Sequence, residues 1–118
     1  IVIALATAMQ ESGIRNINYG DRDSVGIFQQ RPSAHWGTVA EIMNPEYSAR
    51  AFFGGPKSPT AGAAKGLLDI KDWSTKTLTQ AAQAVQISAF PNAYAKWELS
   101  AWVWLDQLSE NSGSGNGA

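Results

Sequence analysis

The stretch that decides the fold is residues 1–13, which read IVIALATAMQESG. Only Thr7 and Gln10 interrupt the apolar run before Glu11, so a helix formed here has almost no polar face and belongs in the middle of a core. Gly13 follows as the residue type that most often ends a helix in the left-handed conformation. The sequence therefore predicts a buried helix that carries a carboxyl group, Glu11, at its C-terminal end.

Two physical effects at such a helix end raise the pKa of Glu11. Burial disfavours the charged form of a carboxyl, and the C-terminal end of a helix carries partial negative charge, which disfavours it again. A glycosidase general acid needs a carboxyl that is still protonated near neutral pH. For an arbitrary glutamate at a helix end, a side chain that simply leaves into solvent is the commoner outcome, so the neighbouring motifs decide between the two interpretations.

Two cap signatures predict further helices in the middle of the chain. Asn44 followed by Pro45 is a helix start, with a capping side chain and a proline in the first turn. Thr77 and Gln80 form a capping box, which predicts a helix over about 79–88. Both signatures favour helical over extended structure.

The remaining segments complete a mainly α fold. From Tyr94 to Leu108, apolar residues recur at spacings of three and four, which predicts a last helix over about 92–108. Residues 15–26 are rich in turn formers and predict an irregular loop or a small hairpin, and the chain is expected to stay irregular over residues 27–40. Since no stretch alternates long enough for a confident strand, the fold class is mainly α, with further helices after the loop.

Composition excludes several classes of protein. The 118 residues suit one domain, and 44% apolar with only 16% charged residues excludes a disordered polyelectrolyte. A net charge of −1 offers no basic field for nucleic acid. One histidine and no cysteine argue against a zinc site, so we expect no metal. The apolar run 1–9 is too short to span a membrane.

The two ends of the chain suggest a domain within a longer protein. Ile1 stands inside an apolar run, so we expect a domain over 1–108 that is truncated at its N-terminus. Residues 109–118 are rich in Gly and Ser and predict a flexible linker or tail. A linker implies a second module in the parent protein, beside a domain that we expect to be monomeric.

Two motifs in order carry a family resemblance. Glu11 and Ser12 end the predicted helix, and after a polar loop residues 26–29 read Gly-Ile-Phe-Gln. This order resembles lytic transglycosylases and goose-type lysozymes, in which Glu-Ser ends a helix and a loop leads to Gly-Leu-Met-Gln. The run from Ala8 to Pro32 also looks like lysozyme-like domains of actinobacterial and phage cell-wall proteins. The resemblance implies a lysozyme-like fold with a central buried helix that ends in the catalytic glutamate.

A third family motif is matched only in part. It reads roughly Ala-Tyr-Asn-Ala-Gly-Pro-Gly and leads into a helix, and residues 84–97 can be laid on it without a gap. Ala89, Pro91 and Trp97 match, whereas the family's Tyr and Asn fall on Ile87 and Ser88. In the family that Tyr lies near the acid. In this chain we therefore expect the polar contact with Glu11 to come from another residue.

The resemblance implies a peptidoglycan-degrading enzyme. Glu11 would be the general acid for cleavage of the β-1,4 bond between N-acetylmuramic acid and N-acetylglucosamine, by hydrolysis or by lytic transglycosylation, without a cofactor. The partner is the glycan strand, and the location is extracellular or the cell wall, including a phage-encoded protein that acts there. The alternative is a non-catalytic peptidoglycan-binding or scaffold module of a secretion, conjugation or phage-tail protein, which the departures at Ile87 and Ser88 favour.

Other candidate residues lie in the loop and in the third motif. Asp21 or Asp23 could serve as a second carboxylate, about 5 Å from the acid in retaining and roughly 6.5–9.5 Å in inverting glycosidases; ordinary turn chemistry is the alternative for both. Gln86, Ser88 or Tyr94 could replace the missing family tyrosine. The candidates for substrate binding are Ser24, Gln29, Gln30, Ser88, Phe90 and Tyr94, with bracing of the loop as the alternative for the two glutamines.

Overall fold

The computed structural model describes residues 1–88 and 90–117, with side chains described as far as Glu110. Its α-helices are α1 (Val2–Ser12), α2 (Val39–Ile42), α3 (Pro45–Phe53), α4 (Leu78–Gln86) and α5 (Glu98–Gly117). Short 3-10 helices lie at Pro32–Ala34, Leu67–Asp69, Trp73–Thr75 and Ala95–Trp97. Within the described residues there is no strand, only an isolated antiparallel bridge between Val25 and Gln30. The predicted mainly α class is confirmed.

Helix α1 is central to the packing, because α4, α5 and the 3-10 helix at 95–97 all contact it. Small residues such as Ala6 and Ala8 are buried along it and let these neighbours approach closely. Thr7 is also buried, and its hydroxyl donates to the Ile3 carbonyl at 2.7 Å, so no polar group is left unpaired there. The helix ends at Gly13, whose φ is 66°. The predicted buried helix is confirmed.

Two hydrophobic clusters lie on either side of α1. In the first, the rings of Phe28 and Phe52 stack with centroids 4.5 Å apart, between the loop after α1 and helix α3. In the second, Tyr94 is fully buried against α1, α4 and Ala101 of α5. Both clusters thus hold later segments of the chain against α1.

The predicted caps of the middle helices are confirmed. Asn44 Oδ1 accepts hydrogen bonds from the first-turn amides of α3 at 3.0 and 3.3 Å. Thr77 and Gln80 exchange the two hydrogen bonds of a capping box at the start of α4, at 3.1 and 3.0 Å. Helix α4 ends at Gln86, earlier than predicted, because Ile87 adopts a left-handed conformation with φ 48°.

Other predicted boundaries differ from the structure. Helix α2 begins inside the segment predicted to be irregular, and its signal was a capping box formed by Thr38 and Glu41. The last helix begins at Glu98 and not near residue 92, because a hydrogen bond from Ala93 N to Phe90 O closes a turn first.

The C-terminal segment of the chain forms helix α5. Helix α5 reaches Gly117, so the predicted linker 109–118 begins within it; Ala118 lies outside the described residues, and the division into domain and linker stays a prediction. Trp102 of α5 and the first turn of α1 line an apolar groove of about 390 Å³. None of the helices in the described part of the chain is long and apolar enough to cross a membrane.

Candidate active site

Glu11 lies in the last turn of α1, where a neighbouring hydroxyl fixes the helix to the following loop. Ser12 Oγ donates to the Ile27 carbonyl at 2.7 Å and accepts from the Arg15 amide at 3.1 Å. Ser12 is buried, so this link is shielded from water. The two parts of the sequence motif, the helix end and residues 26–29, are therefore joined directly beside the carboxyl group.

Two uncharged donors from distant parts of the chain bind the Glu11 carboxyl. Tyr94 Oη donates to Glu11 Oε2 at 2.6 Å, and Gln86 Nε2 donates to the same oxygen at 3.2 Å. Gln86 Nε2 also donates to the Phe28 carbonyl at 2.7 Å, which connects the last residue of α4 to the loop after α1. The end of α1, the end of α4 and the segment before α5 thus meet at one carboxyl group.

Burial raises the pKa of Glu11 above its usual value, and the hydrogen bonds from Tyr94 and Gln86 lower it by less. The pKa of Tyr94 is also raised, chiefly by burial and then by its hydrogen bond to Glu11, so its phenol stays a neutral donor. A half-buried carboxyl that resists ionisation, supported by uncharged donors, can give a proton to a bound oxygen and hold the resulting carboxylate.

The two candidate second carboxylates have different surroundings. Asp23 Oδ1 lies 2.6 Å from Arg31 Nε, and its Oδ2 accepts from the Ser33 amide at 2.9 Å. The Arg31 guanidinium beside it holds the pKa of Asp23 well below its usual value. Asp21 is exposed, and its backbone carbonyl accepts from the Ser24 amide at 3.0 Å. Among the described hydrogen bonds, neither aspartate reaches Glu11, and a catalytic role for either stays a prediction.

The candidate glutamines of the loop make backbone contacts. Gln29 has φ 51°, and its Nε2 donates to the carbonyls of Tyr19 and Gly26 at 3.1 and 3.0 Å. Gln30 is only 2% exposed and donates from Nε2 to the Ser48 carbonyl at 3.1 Å. These contacts support the bracing interpretation. Ser24 is buried as well, so it offers a ligand little surface. Their predicted contacts with substrate stay predictions.

The residues of the third motif on either side of Ala89 lie beside the site. Ser88 is held at its backbone by the Gln83 side chain at 3.0 and 3.1 Å, and its Oγ accepts from the Phe90 amide at 2.8 Å. The Ser88 side chain also lies close enough to the Tyr94 phenol to affect its pKa. Phe90 and Ile87 are exposed, at 71% and 80%. Ala89, which matches the family motif, lies outside the described residues.

A hydrogen bond between Trp97 and Gln10, next to the acid, was not predicted from the sequence. Trp97 Nε1 donates to Gln10 Oε1 at 2.8 Å, and the Lys96 ammonium lies 5.4 Å from the centroid of the Trp97 ring. The spacing of three between Tyr94 and Trp97 was the available signal, since residues three apart on a helical turn share a face. Of the three residues considered as replacements for the family tyrosine, Gln86 and Tyr94 contact Glu11.

The described residues around this site hold no metal cluster, and the apolar groove lies elsewhere. Within the described residues, no cluster of three or more His, Cys, Asp or Glu side chains could hold a metal ion. The apolar groove between α1 and α5 is lined by residues of the first turn of α1 and does not include Glu11. Comparison of the chain with protein-family models and with curated proteins found no match. The resemblance to lytic transglycosylases and goose-type lysozymes therefore rests on the sequence motifs alone.

Proposed function

We propose that this chain is a peptidoglycan-degrading domain of lysozyme-like fold in which Glu11 is the general acid. One observation carries the proposal: the Glu11 carboxyl ends a buried helix, its pKa is raised by burial, and its only described side-chain partners are the uncharged donors Tyr94 and Gln86. The substrate is the β-1,4 bond between N-acetylmuramic acid and N-acetylglucosamine in a glycan strand.

The first step is proton transfer from Glu11 to the glycosidic oxygen. The bond from that oxygen to C1 of N-acetylmuramic acid breaks, the leaving sugar keeps the bonding electrons and the proton, and positive charge develops at C1. Glu11 becomes a carboxylate in this step. The hydrogen bonds from Tyr94 and Gln86 favour that ionised form, so they oppose immediate return of the proton.

For the second step, lytic transglycosylation fits the site better than hydrolysis does. The Glu11 carboxylate removes the proton from the C6 hydroxyl of N-acetylmuramic acid, and that oxygen attacks C1 to close a 1,6-anhydro ring. This route needs one carboxyl group, whereas the two-carboxylate routes need a second one beside the sugar. Asp23 is bound to Arg31 and Ser33, which makes it a poor second carboxylate and supports the single-carboxyl route.

We propose that the domain acts outside the cell or at the cell wall, as a monomer on a glycan strand. The test is digestion of purified peptidoglycan with the chain, followed by mass spectrometry of the soluble fragments. We expect fragments with 1,6-anhydro ends, which are lighter by one water than fragments with reducing ends. Reducing ends would mean hydrolysis, and an unaltered polymer would overturn the proposal; Glu11→Gln is the matched control.

A non-catalytic wall-binding module is the second candidate, and the surface of the third motif favours it. Ile87, which stands at the place of the family's tyrosine, and Phe90 both project into solvent beside the site. The exposed aromatic ring of Phe90 can stack on a sugar ring without any cleavage. Co-sedimentation with insoluble peptidoglycan, in parallel with the digestion, separates the two candidates, because a binding module is retained by the polymer and releases no fragments.

A further inference from the structure

The two donors to Glu11 converge on one of its two carboxyl oxygens. Tyr94 Oη and Gln86 Nε2 both bond to Oε2, at 2.6 and 3.2 Å. The donors come from separate segments, 83 and 75 residues away from Glu11 along the chain. Within the described hydrogen bonds, Oε1 has no donor from the protein. The two oxygens of this carboxyl are therefore not equivalent.

The direction of the Gln86 hydrogen bond is fixed by a third group. Gln86 Nε2 donates to the Phe28 carbonyl at 2.7 Å, and a carbonyl oxygen can only accept. The NH₂ end of the amide must therefore face both Phe28 and Glu11, so Gln86 is a donor to Oε2 in either protonation state. An oxygen that already accepts hydrogen bonds is the natural carbonyl oxygen of a neutral carboxyl group.

We infer that Gln86 and Tyr94 are positioning residues that hold Glu11 by Oε2, so that Oε1 carries the proton that leaves for the substrate. The inference rests on the proposed function for the role of Glu11 as an acid, and it names the atom and the residues that act. Because the donors stay in place when the proton leaves, they stabilise the new carboxylate without rearrangement, as preorganised donors do in active sites. Gln86 also couples the position of Oε2 to the loop that contains Phe28.

No charged group competes with these donors in the described part of the chain. Helix α4 carries no charged residue, and Lys96 lies over the ring of Trp97. On α5, Glu98 lines the apolar groove at the opposite end of α1. Arg15 binds the Ser12 carbonyl through Nε at 3.3 Å. Burial, Tyr94 and Gln86 are the causes that shift the pKa of Glu11.

The test uses the intact chain and the substitutions Tyr94→Phe and Gln86→Leu. Infrared difference spectra between each protein and its Glu11→Gln form isolate the C=O stretch of protonated Glu11. Loss of a hydrogen bond to the carbonyl oxygen raises that frequency, so we expect an upward shift in both variants. We also expect kcat on soluble glycan fragments to fall roughly tenfold with KM unchanged, and the pKa of Glu11 to rise. The matched controls Tyr47→Phe and Gln107→Leu should change none of these.

Each outcome decides one of the two claims. If the C=O stretch and the pKa of Glu11 stay unchanged in the variants, the positioning inference is overturned even where the polymer is cut. When the stretch shifts but no variant and no parent protein cuts the polymer, the proposed function fails and the assignment of the proton to Oε1 stands. Since Tyr94 is fully buried, its variant is checked for folding by circular dichroism; Gln86→Leu decides the matter if Tyr94→Phe does not fold.

Discussion

The C-terminal end of α1 and the loop over residues 21–33 each hold a carboxyl group that was a catalytic candidate, and they hold it in opposite ways. Glu11 is half-buried and receives hydrogen bonds from the uncharged Tyr94 and Gln86, and its pKa is raised. Asp23 is partly exposed and pairs with Arg31 at 2.6 Å, and its pKa is lowered. The chemistry of a carboxyl in this protein follows from its partners and not from its place in a motif.

This difference in partners suits Glu11 to the proposed role of proton donor and Asp23 to a structural role in the loop. A carboxylate beside a guanidinium stays ionised at every working pH and ties two parts of a loop together. A carboxyl in a dry site with neutral donors can be loaded with a proton and unloaded again. We therefore expect Glu11 to act in the reaction and Asp23 to hold the loop.

The largest effect that this comparison predicts is on activity. Glu11→Gln keeps the shape of the side chain and removes the proton donor, so release of soluble peptidoglycan fragments should fall by roughly 10²- to 10⁴-fold. Fragment release measured by mass spectrometry at equal concentrations of folded protein checks this. Asp23→Asn, the matched substitution in the other region, should reduce the rate far less. A variant Glu11→Gln that cuts at the parent rate would remove the basis of the comparison.

The sequence could predict the features that depend on neighbouring residues, but not the contacts between residues far apart along the chain. The end of α1 was predictable, because the apolar run, Glu11 and Gly13 are local signals. The caps at Asn44 and Thr77 were predictable for the same reason. The partners of Glu11 were predicted only as a choice among three candidates, of which Gln86 and Tyr94 make the contact. Tyr94 lies 83 residues away, and its contact depends on how α1 packs against the segment before α5.

The predicted start of the last helix was wrong because of a local turn, which the spacing of apolar residues does not reveal. The spacing of apolar residues after residue 92 is helical, but a turn closed by Ala93 N and Phe90 O delays the helix to Glu98. The ion pair between Asp23 and Arg31 was not predicted from the sequence either. Arg31 lies eight positions after Asp23 along an irregular loop, and only the backbone path brings the two charges together.

The next largest effect is on stability, at the link between α1 and the motif loop. Ser12→Ala removes the hydroxyl that donates to Ile27 O and accepts from Arg15 N. Because the site is buried, the free energy of unfolding should fall by about 1–3 kcal/mol. Urea unfolding followed by circular dichroism measures it. Ser100→Ala, an exposed serine on α5, is the matched control and should not destabilise the protein; equal losses in both variants would refute a special role for Ser12.

The pH dependence of stability should have opposite signs in the two regions. The pKa of Glu11 is raised from 4.5, so its contribution is complete below 4.5 and is lost as pH rises through the folded-state pKa. The pKa of Asp23 is lowered from 3.8, so its contribution is present above 3.8 and is lost as pH falls through the folded-state pKa. Unfolding free energies between about pH 3 and pH 8 should show that Glu11→Gln removes the decline on the alkaline side and Asp23→Asn the decline on the acid side.

The smallest predicted effect is that of salt. The side chains of Asp23 and Arg31 are each 39% exposed, so dissolved ions screen their attraction. The difference in unfolding free energy between the parent and Asp23→Asn should therefore shrink as sodium chloride is added, whereas the difference for Glu11→Gln should stay the same. A salt-dependent difference for Glu11→Gln would point to a charged partner near Glu11.

The most direct test of the central claim is a titration of the Glu11 carboxyl itself, followed by the ¹³C chemical shift of its side-chain carboxyl carbon and assigned with Glu11→Gln. The account predicts that this carbon titrates at a pH above 4.5, the usual value for glutamate, while Asp23 titrates below its own usual value of 3.8. A midpoint for Glu11 at or below 4.5 would contradict the account, because burial would then not raise the pKa of this carboxyl group.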